Sequence, residues 1–400
     1  MTQPTPPLGL GLVGAGRFGA FVAGVAASLP AVSLRAVADA DAGRAAGLAT
    51  RHGAQVAGDW TTLIDHRGVD AVVVATPPAT HAAVALAALA AGRHVFAEKP
   101  LATTLDRARE VVDAAARHGR ALVVDHVLRY NPVLQVLVVL RDELLGPVQR
   151  FAFENDASDE HLPPDHWFWD EERSGGVFVE HGVHFFDAAH LLVGSRPEHL
   201  VAVSAARADG RTDLVSATAR HPGGALATHT HGFTHPDRCE RQRMRLDHGS
   251  AEVLVDGWIP LRARVDGWTD DHGAVVAGRL PDRTADLMHV PGHRLGPGSG
   301  ITAVVHRDAG PAAARGRGRE LALPHRVEVL VELGRDDAKE RVYAESVRGA
   351  LTDLVAAAHG ARPRSGGPEA LAALAVADAA RRSALDGAAT RPSFPAAPAA

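Results

Sequence analysis

Lysine is nearly absent from this chain. Of 42 basic residues only Lys99 and Lys339 are lysine. Arginine is therefore the default cation, and a retained lysine carries more information than an arginine does. Cysteine occurs once, at Cys239, which excludes an intramolecular disulfide framework. Aromatic residues make up only 4% of the chain. No uninterrupted apolar run approaches the ~18 residues of a membrane span. No basic run offers a footprint for nucleic acid, and the net charge of −5 is mild. The segment from Met1 to Leu12 contains neither lysine nor arginine, so it does not read as a secretory signal. The expectation is a cytoplasmic protein with no membrane and no nucleic-acid partner.

What is present is a chain of 400 residues with 46% hydrophobic content, enough for two or three domains. The first third alternates strand and helix patterns. Apolar runs at Leu8–Val13, Val32–Ala38, Ala71–Ala75, His94–Ala97 and Ala121–Asp125 are separated by helical segments. Such alternation implies crossover units and a parallel sheet. Asp41 is placed to cap the second helix. A helix is expected over Val133–Leu145. Beyond it come alternating segments at Val148–Glu154, Leu200–Ala206, Leu214–Ala219, Ala225–His231 and Arg241–Leu246. With no helix regularly between them, these predict a mostly antiparallel sheet. The stretch Gly267–Glu320 reads as inserted loops. Two late helices are expected over Tyr343–His359 and Pro368–Leu385.

The turn Gly14-Ala15-Gly16-Arg17-Phe18-Gly19 follows a strand and opens a helix. Glycines there permit a tight turn and close approach of backbone to a pyrophosphate. Amides at the helix start bind the phosphates. Asp39, at the end of the second strand pattern, is placed to accept hydrogen bonds from a ribose diol. A carboxylate there repels a 2′-phosphate, so NAD is favoured over NADP. Glu98-Lys99-Pro100 directly follows a strand on the edge that lines the ligand crevice. A lysine there can be desolvated, can lose part of its pKa and can hold a substrate hydroxyl. Thr76-Pro77-Pro78 forces an irregular loop over the same crevice. His81, just beyond, reads equally as a cofactor contact or as a plain helix-start residue.

In the segment Gly175–Asp187, a helix from about Val179 would put Glu180 and His184 on one face. His184 could then move a proton near neutral pH, with the carboxylate orienting it. A solvated amphipathic helix explains the pair equally well. A metal reading uses His161, His166, Glu180, His181 and His184, but 23 histidines make chance clusters easy. Trp167-Phe168-Trp169 serves either as a substrate wall or as core.

The ordered set GLVGAGRFG, Asp39, ATPPATH, AGRHVFAEKPL, RYNP at Arg129–Pro132 and GGVFVEHGVHFFD resembles the Gfo/Idh/MocA oxidoreductases. The resemblance covers most of the chain. It implies an α/β protein: an N-terminal Rossmann doubly wound parallel sheet, then a C-terminal α+β domain with a large, open, mostly antiparallel sheet. The expected boundaries are 1–126 for NAD binding, 127–390 for substrate binding and oligomerisation, and 391–400 for a disordered tail. The resemblance maps the family's lysine onto Lys99 and its histidine onto His184, with Glu180 where the family often has Asp. It implies cofactor contacts from Gly14, Gly16, Arg17, Phe18, Gly19, Asp39, Thr76, Pro77, His81, Glu98 and Lys99. Substrate contacts are expected from Lys99, Arg129, Trp167, His181 and His184, with no metal. The expected activity is NAD-dependent hydride transfer on a sugar, polyol or inositol-like alcohol by a homodimer or homotetramer. Two alternatives stand beside it: a non-catalytic NAD- or metabolite-binding relative, and a metal- or NAD-assisted lyase or hydrolase.

Overall fold

A computed structural model describes residues 6–316 and 318–394 of the chain. Six strands form the first sheet: β1 (Leu8–Val13), β2 (Val32–Ala38), β3 (Gln55–Val56), β4 (Ala71–Val74), β5 (His94–Ala97) and β6 (Leu122–Val124). All pairs are parallel, in the order β3-β2-β1-β4-β5-β6. The Val72–Val74 run is buried, as a strand covered on both faces requires. The crossover helices are α1 (Arg17–Ala27), α2 (Ala42–His52), α3 (Trp60–Ile64), α4 (His81–Ala90) and α5 (Leu105–His118). Asp41 caps α2 by accepting from the Arg44 amide at 3.0 Å, as its position predicts. Reversal of strand order beside β1 opens a crevice at the carboxyl ends of β1 and β4.

A nine-stranded sheet follows. Its strands are β7 (Arg150–Asp156), β8 (His199–Ala206), β9 (Thr212–Arg220), β10 (Leu226–Gly232), β11 (Arg241–Asp247), β12 (Ala251–Asp256), β13 (Arg262–Thr269), β14 (Ser299–His306) and β17 (His325–Leu333). A separate hairpin joins β15 (Ala313–Gly316) to β16 (Arg319–Ala322). Only the β7–β10 pair in the nine-stranded sheet is parallel. The remaining helices are α6 (Pro132–Leu140), α7 (Glu171–Ser174), α8 (Val177–Glu180), α9 (Gly182–Val193), α10 (Asp271–Arg279), α11 (Thr284–Leu287), α12 (Lys339–Ala358) and α13 (Gly367–Asp386). Helices α6, α9, α10 and α13 lie against this sheet. Its other face carries cross-strand charge pairs such as Arg243–Asp256, Arg262–Glu332 and Arg326–Asp266.

Three local expectations change. The helix expected to reach Leu145 ends at Leu140 and continues as a π-helical turn, Arg141–Leu145. The region read as inserted loops contains α10, α11 and the edge strand β14. The segment 391–394 of the expected tail is held against the body: Arg109 donates to Ser393 Oγ at 3.1 Å, and Arg196 lies over the Phe394 ring. Residues 395–400 of that tail lie outside the described residues.

The two late helices return to the first sheet. Tyr130 donates to Asp353 of α12 at 2.7 Å, and the Val124 amide donates to the Ser365 carbonyl at 2.8 Å. Among the described residues no helix is long and apolar enough to cross a membrane.

Candidate active site

The glycine turn closes the carboxyl end of β1. Gly14 has φ +99°, and a Cβ there would stand 2.5 Å from the Ala75 carbonyl oxygen. A Cβ at Gly19 would stand 1.9 Å from the Gly14 carbonyl oxygen. Both positions are thus closed to a side chain by the protein itself. Gly16 differs, because a Cβ there would meet nothing within 4 Å. That open volume lies at the N-terminus of α1, whose Gly16 N-cap supplies no side-chain hydrogen bond. It is the cradle a pyrophosphate needs.

Asp39 accepts from the amides of Ala15 at 2.6 Å and Asp41 at 2.7 Å, and from Arg44 at 3.0 Å. Burial opposes its charge, but these three donors outweigh it and hold the carboxyl below its ordinary pKa. A charged acceptor beside the glycine turn fits the ribose end of a dinucleotide. His81 takes a different place from the cofactor contact considered above. It is fully buried, its Nδ1 2.7 Å from the Pro100 carbonyl oxygen and its Nε2 2.6 Å from that of Thr76. It ties together the loops after β4 and β5 and presents no atom to a ligand. Thr76 and Pro77 remain partly accessible in that loop.

Lys99 sits immediately beyond β5 and is buried. Its Nζ donates to the Glu180 carboxylate at 2.7 Å and to the Glu180 carbonyl at 2.8 Å. Burial acts to lower its pKa, but attraction from Glu180 and Glu98, the Glu180 hydrogen bond and Asp125 outweigh it. The pKa ends above its ordinary value, contrary to the loss expected from desolvation. Lys99 is a fixed cation.

The expected pairing of Glu180 with His184 is not formed. The helix assumed from Val179 is broken: α8 ends at Glu180, and α9 starts at Gly182. The break turns Glu180 to Lys99, and the i, i+4 geometry of one continuous helix is lost. Nδ1 of His184 is buried without a partner. Burial first, then Lys99, His126, His181 and His231, drive its pKa well below the ordinary value. His184 is a neutral imidazole, the form that can accept a proton.

Other expected contacts are otherwise engaged. Arg129 Nε donates to both Asp187 oxygens, at 2.9 and 2.8 Å. That buried pair joins the 3-10 turn Val127–Tyr130 to α9, so Arg129 serves the frame. His181 lies edge-on to Phe185 and His231, with centroids 5.2 Å away in each case. It belongs to an aromatic layer over β10, yet it is only half-buried and its Nε2 has no hydrogen-bond partner. Trp167 is partly exposed, its ring 5.1 Å from His166. Trp169, by contrast, is fixed by Arg207 over its ring at 4.4 Å and by its own donation to the Leu162 carbonyl. Among the described residues no group of three or more His, Cys, Asp or Glu is arranged to hold a metal ion.

The sequence reading missed three groups beside the site. Asp125 follows β6, is buried, and has one carboxylate oxygen without a partner. Burial pushes its pKa up to about 7, against the pull of Lys99. His126, the next residue, is also buried, and its Nδ1 has no partner. Trp258, in the turn after β12, has its ring centroid 6.5 Å from that of His184. The available signal for the first two was their position directly after a buried strand of the parallel sheet. Nothing local marked Trp258.

Comparison with known proteins agrees with this geometry. The family described as an oxidoreductase family with an NAD-binding Rossmann fold matches residues 8–126, and the C-terminal domain of the same family matches 133–252. Inositol 2-dehydrogenase 2 of Saccharopolyspora erythraea is 36% identical over 290 residues, covering 71% of this chain and 74% of that protein. The uncharacterized oxidoreductase YrbE of Bacillus subtilis is 27% identical over 224 residues, 54% of this chain; the chain spans 64% of its length. A solved complex of levoglucosan dehydrogenase with NADH and L-sorbose superposes with a TM-score of 0.75 over 98% of this chain and 100% of that one. At 19% identity that likeness shows the fold. The glycine cradle, the charged Asp39 and the Lys99 site thus lie in a chain that belongs to the Gfo/Idh/MocA family of NAD-binding oxidoreductases.

Proposed function

We propose that the protein is an NAD-dependent dehydrogenase acting on a secondary alcohol of a sugar, polyol or inositol-like compound. The observation that carries this reading is the Lys99–Glu180 clamp beside the neutral His184, at the carboxyl edge of the Rossmann sheet. When bound, NAD supplies the hydride acceptor. Gly14, Gly16 and Gly19 with the start of α1 hold its pyrophosphate, and Asp39 holds its ribose. Lys99 donates to the carbinol oxygen and stabilises negative charge as the O–H bond breaks. His184 accepts that proton at Nε2. Glu180 is a positioning residue: it keeps Lys99 charged and fixes its Nζ.

Replacing Glu180 by Gln removes the largest attraction that raises the Lys99 pKa. The alkaline limb of the kcat profile is then expected to move to lower pH, because Lys99 loses its proton earlier. A pH–rate series of both proteins tests this; an unmoved limb contradicts the assignment.

NAD rather than NADP follows from Asp39, whose charge repels a 2′-phosphate. Asp39→Ala is expected to weaken NAD binding about tenfold or more. With the exposed Arg44 guanidinium left in place, NADP binding should strengthen. Calorimetry with both dinucleotides reads this directly, and equal losses for both contradict it. Cytoplasmic location and a homodimer or homotetramer remain part of the proposal. Sedimentation of the purified protein tests the assembly.

A further inference from the structure

Lys339 is the second of the two lysines, and the chemistry above leaves it without a role. It opens α12 and is exposed. Its Nζ lies 5.7 Å from the centroid of the Trp258 ring. The same indole stands 6.5 Å from His184, and it meets Tyr343 edge-on at 5.0 Å. The turn carrying Trp258 is pinned by Asn131, the residue before α6, whose Nδ2 donates to the Pro260 carbonyl at 2.9 Å. One fixed aromatic ring therefore connects the proton-accepting imidazole to an ammonium group at the rim of the site.

The two lysines are held differently. Lys99 is buried and paired with Glu180. Among the described residues Lys339 enters no ion pair, although Asp336, Asp337 and Glu340 flank it in sequence. Its contact with the indole is a cation–π contact at an exposed position, where such contacts are weak. An ammonium held so lightly can turn to an anionic group on a ligand, and a charge-assisted hydrogen bond is the stronger interaction. The exposed part of the indole offers an apolar face to the C–H side of a ring. The two separations above allow a six-carbon compound to reach from His184 to Lys339, once a hydrogen bond of about 2.8 Å is allowed at each end.

Building on the dehydrogenase reading, we infer that Trp258 and Lys339 form an anion-recognising rim, and that the substrate is a sugar or polyol bearing a carboxylate or phosphate group. Lys339 is a specificity residue in this account and takes no part in the hydride or proton transfer.

The test is a set of initial rates with NAD for neutral compounds (myo-inositol, glucose), carboxylates (gluconate, glucuronate) and a phosphate (glucose 6-phosphate). Wild type, Lys339→Gln and Lys339→Arg are compared. The expected result is a preference for one anionic arm, which distinguishes carboxylate from phosphate. Lys339→Gln should raise KM for that arm about tenfold or more, with a much smaller change in kcat. Lys339→Arg should restore most of the affinity. Faster turnover of the neutral compounds, or an equal KM shift for neutral and anionic members, overturns the inference and leaves the dehydrogenase reading standing. If NAD binds and no compound is oxidised, the dehydrogenase reading fails on its own. The rim is then judged by thermal stabilisation of the NAD-loaded protein. Stabilisation by the anionic compounds that is lost in Lys339→Gln supports it, and stabilisation that is absent or equal for neutral compounds overturns it.

Discussion

Lys99→Met is expected to lower kcat/KM by about 1,000-fold or more while NAD binding survives. Lys99 is surrounded by Glu180, Glu98 and Asp125, and all three act to keep it charged. A preorganised cation costs no reorganisation when negative charge develops on the reacting oxygen, and that is where such groups contribute most. Methionine retains the length of the stem and removes the charge. The three carboxyl groups then lose their common cation. Burial raises the pKa values of Glu98 and Asp125 and Lys99 lowers them, so loss of the cation lets both take up protons more readily. The fold is therefore expected to survive. Lys99→Arg should also be poor, because a planar fork cannot occupy the point held by Nζ between the Glu180 carbonyl and carboxylate. Calorimetric titration with NAD alongside turnover separates the outcomes. Loss of both would mean that Lys99 only supports the cofactor site, and turnover near wild type would remove it from the chemistry.

The second large effect is expected on stability below pH 6.5. A layer of histidines lies between α9 and β10: His181, His184, His190, His229 and His231. His229 and His231 are buried, and every one of the five has at least one buried ring nitrogen without a partner. Burial pushes His181 and His190 down to about 3, with Lys99 adding to the effect on His181 and His221 to that on His190. His184, His229 and His231 are lowered well below their ordinary value, again chiefly by burial.

A folded-state pKa below the unfolded value of about 6.5 means that the unfolded chain binds the extra proton. The stabilisation is complete above pH 6.5 and is lost as pH falls toward the folded pKa. At pH 5 a histidine held at about 3, as His181 and His190 are, costs about 2 kcal/mol. Those two alone approach the lower end of the stability of an ordinary domain, about 5–15 kcal/mol, and His184, His229 and His231 act in the same direction. Unfolding between pH 6.5 and 5 is the expected result, read by urea titration at a series of pH values. His229→Phe should flatten the dependence by about one proton. A stability that stays level from pH 7 to pH 5 contradicts the account.

The nucleotide-binding half was legible because its signals are local. Val72–Val74 reads as a buried strand, Gly14–Gly19 as a turn, and Asp41 as a cap, each from a few adjacent residues. The second sheet was legible only in part. β17 alternates buried and half-exposed residues along its whole length, a period-2 pattern that the charged Arg326, Glu328 and Glu332 made easy to pass over. β14 was hidden in Gly267–Glu320, a stretch whose Gly, Asp and Arg content resembles loops.

The site itself depended on contacts across long sequence separations. Lys99 was conspicuous as one of two lysines, but its partner lies 81 residues away. Helical periodicity assigned Glu180 to His184, and no periodicity reveals the break at His181 that gives it to Lys99. Trp258 reaches the site from a turn after β12, held by Asn131 from the far side of the chain.

The central claim is hydride transfer between a carbinol carbon and nicotinamide at the Lys99–His184 site. A sugar or polyol substrate labelled with deuterium at the reacting carbinol, incubated with NAD and the wild-type protein, tests it most directly. The account predicts that the label appears at C4 of the reduced nicotinamide and that Lys99→Met and His184→Ala abolish this transfer. Product formation with the label released to water, or label transfer undiminished in both variants, would contradict it.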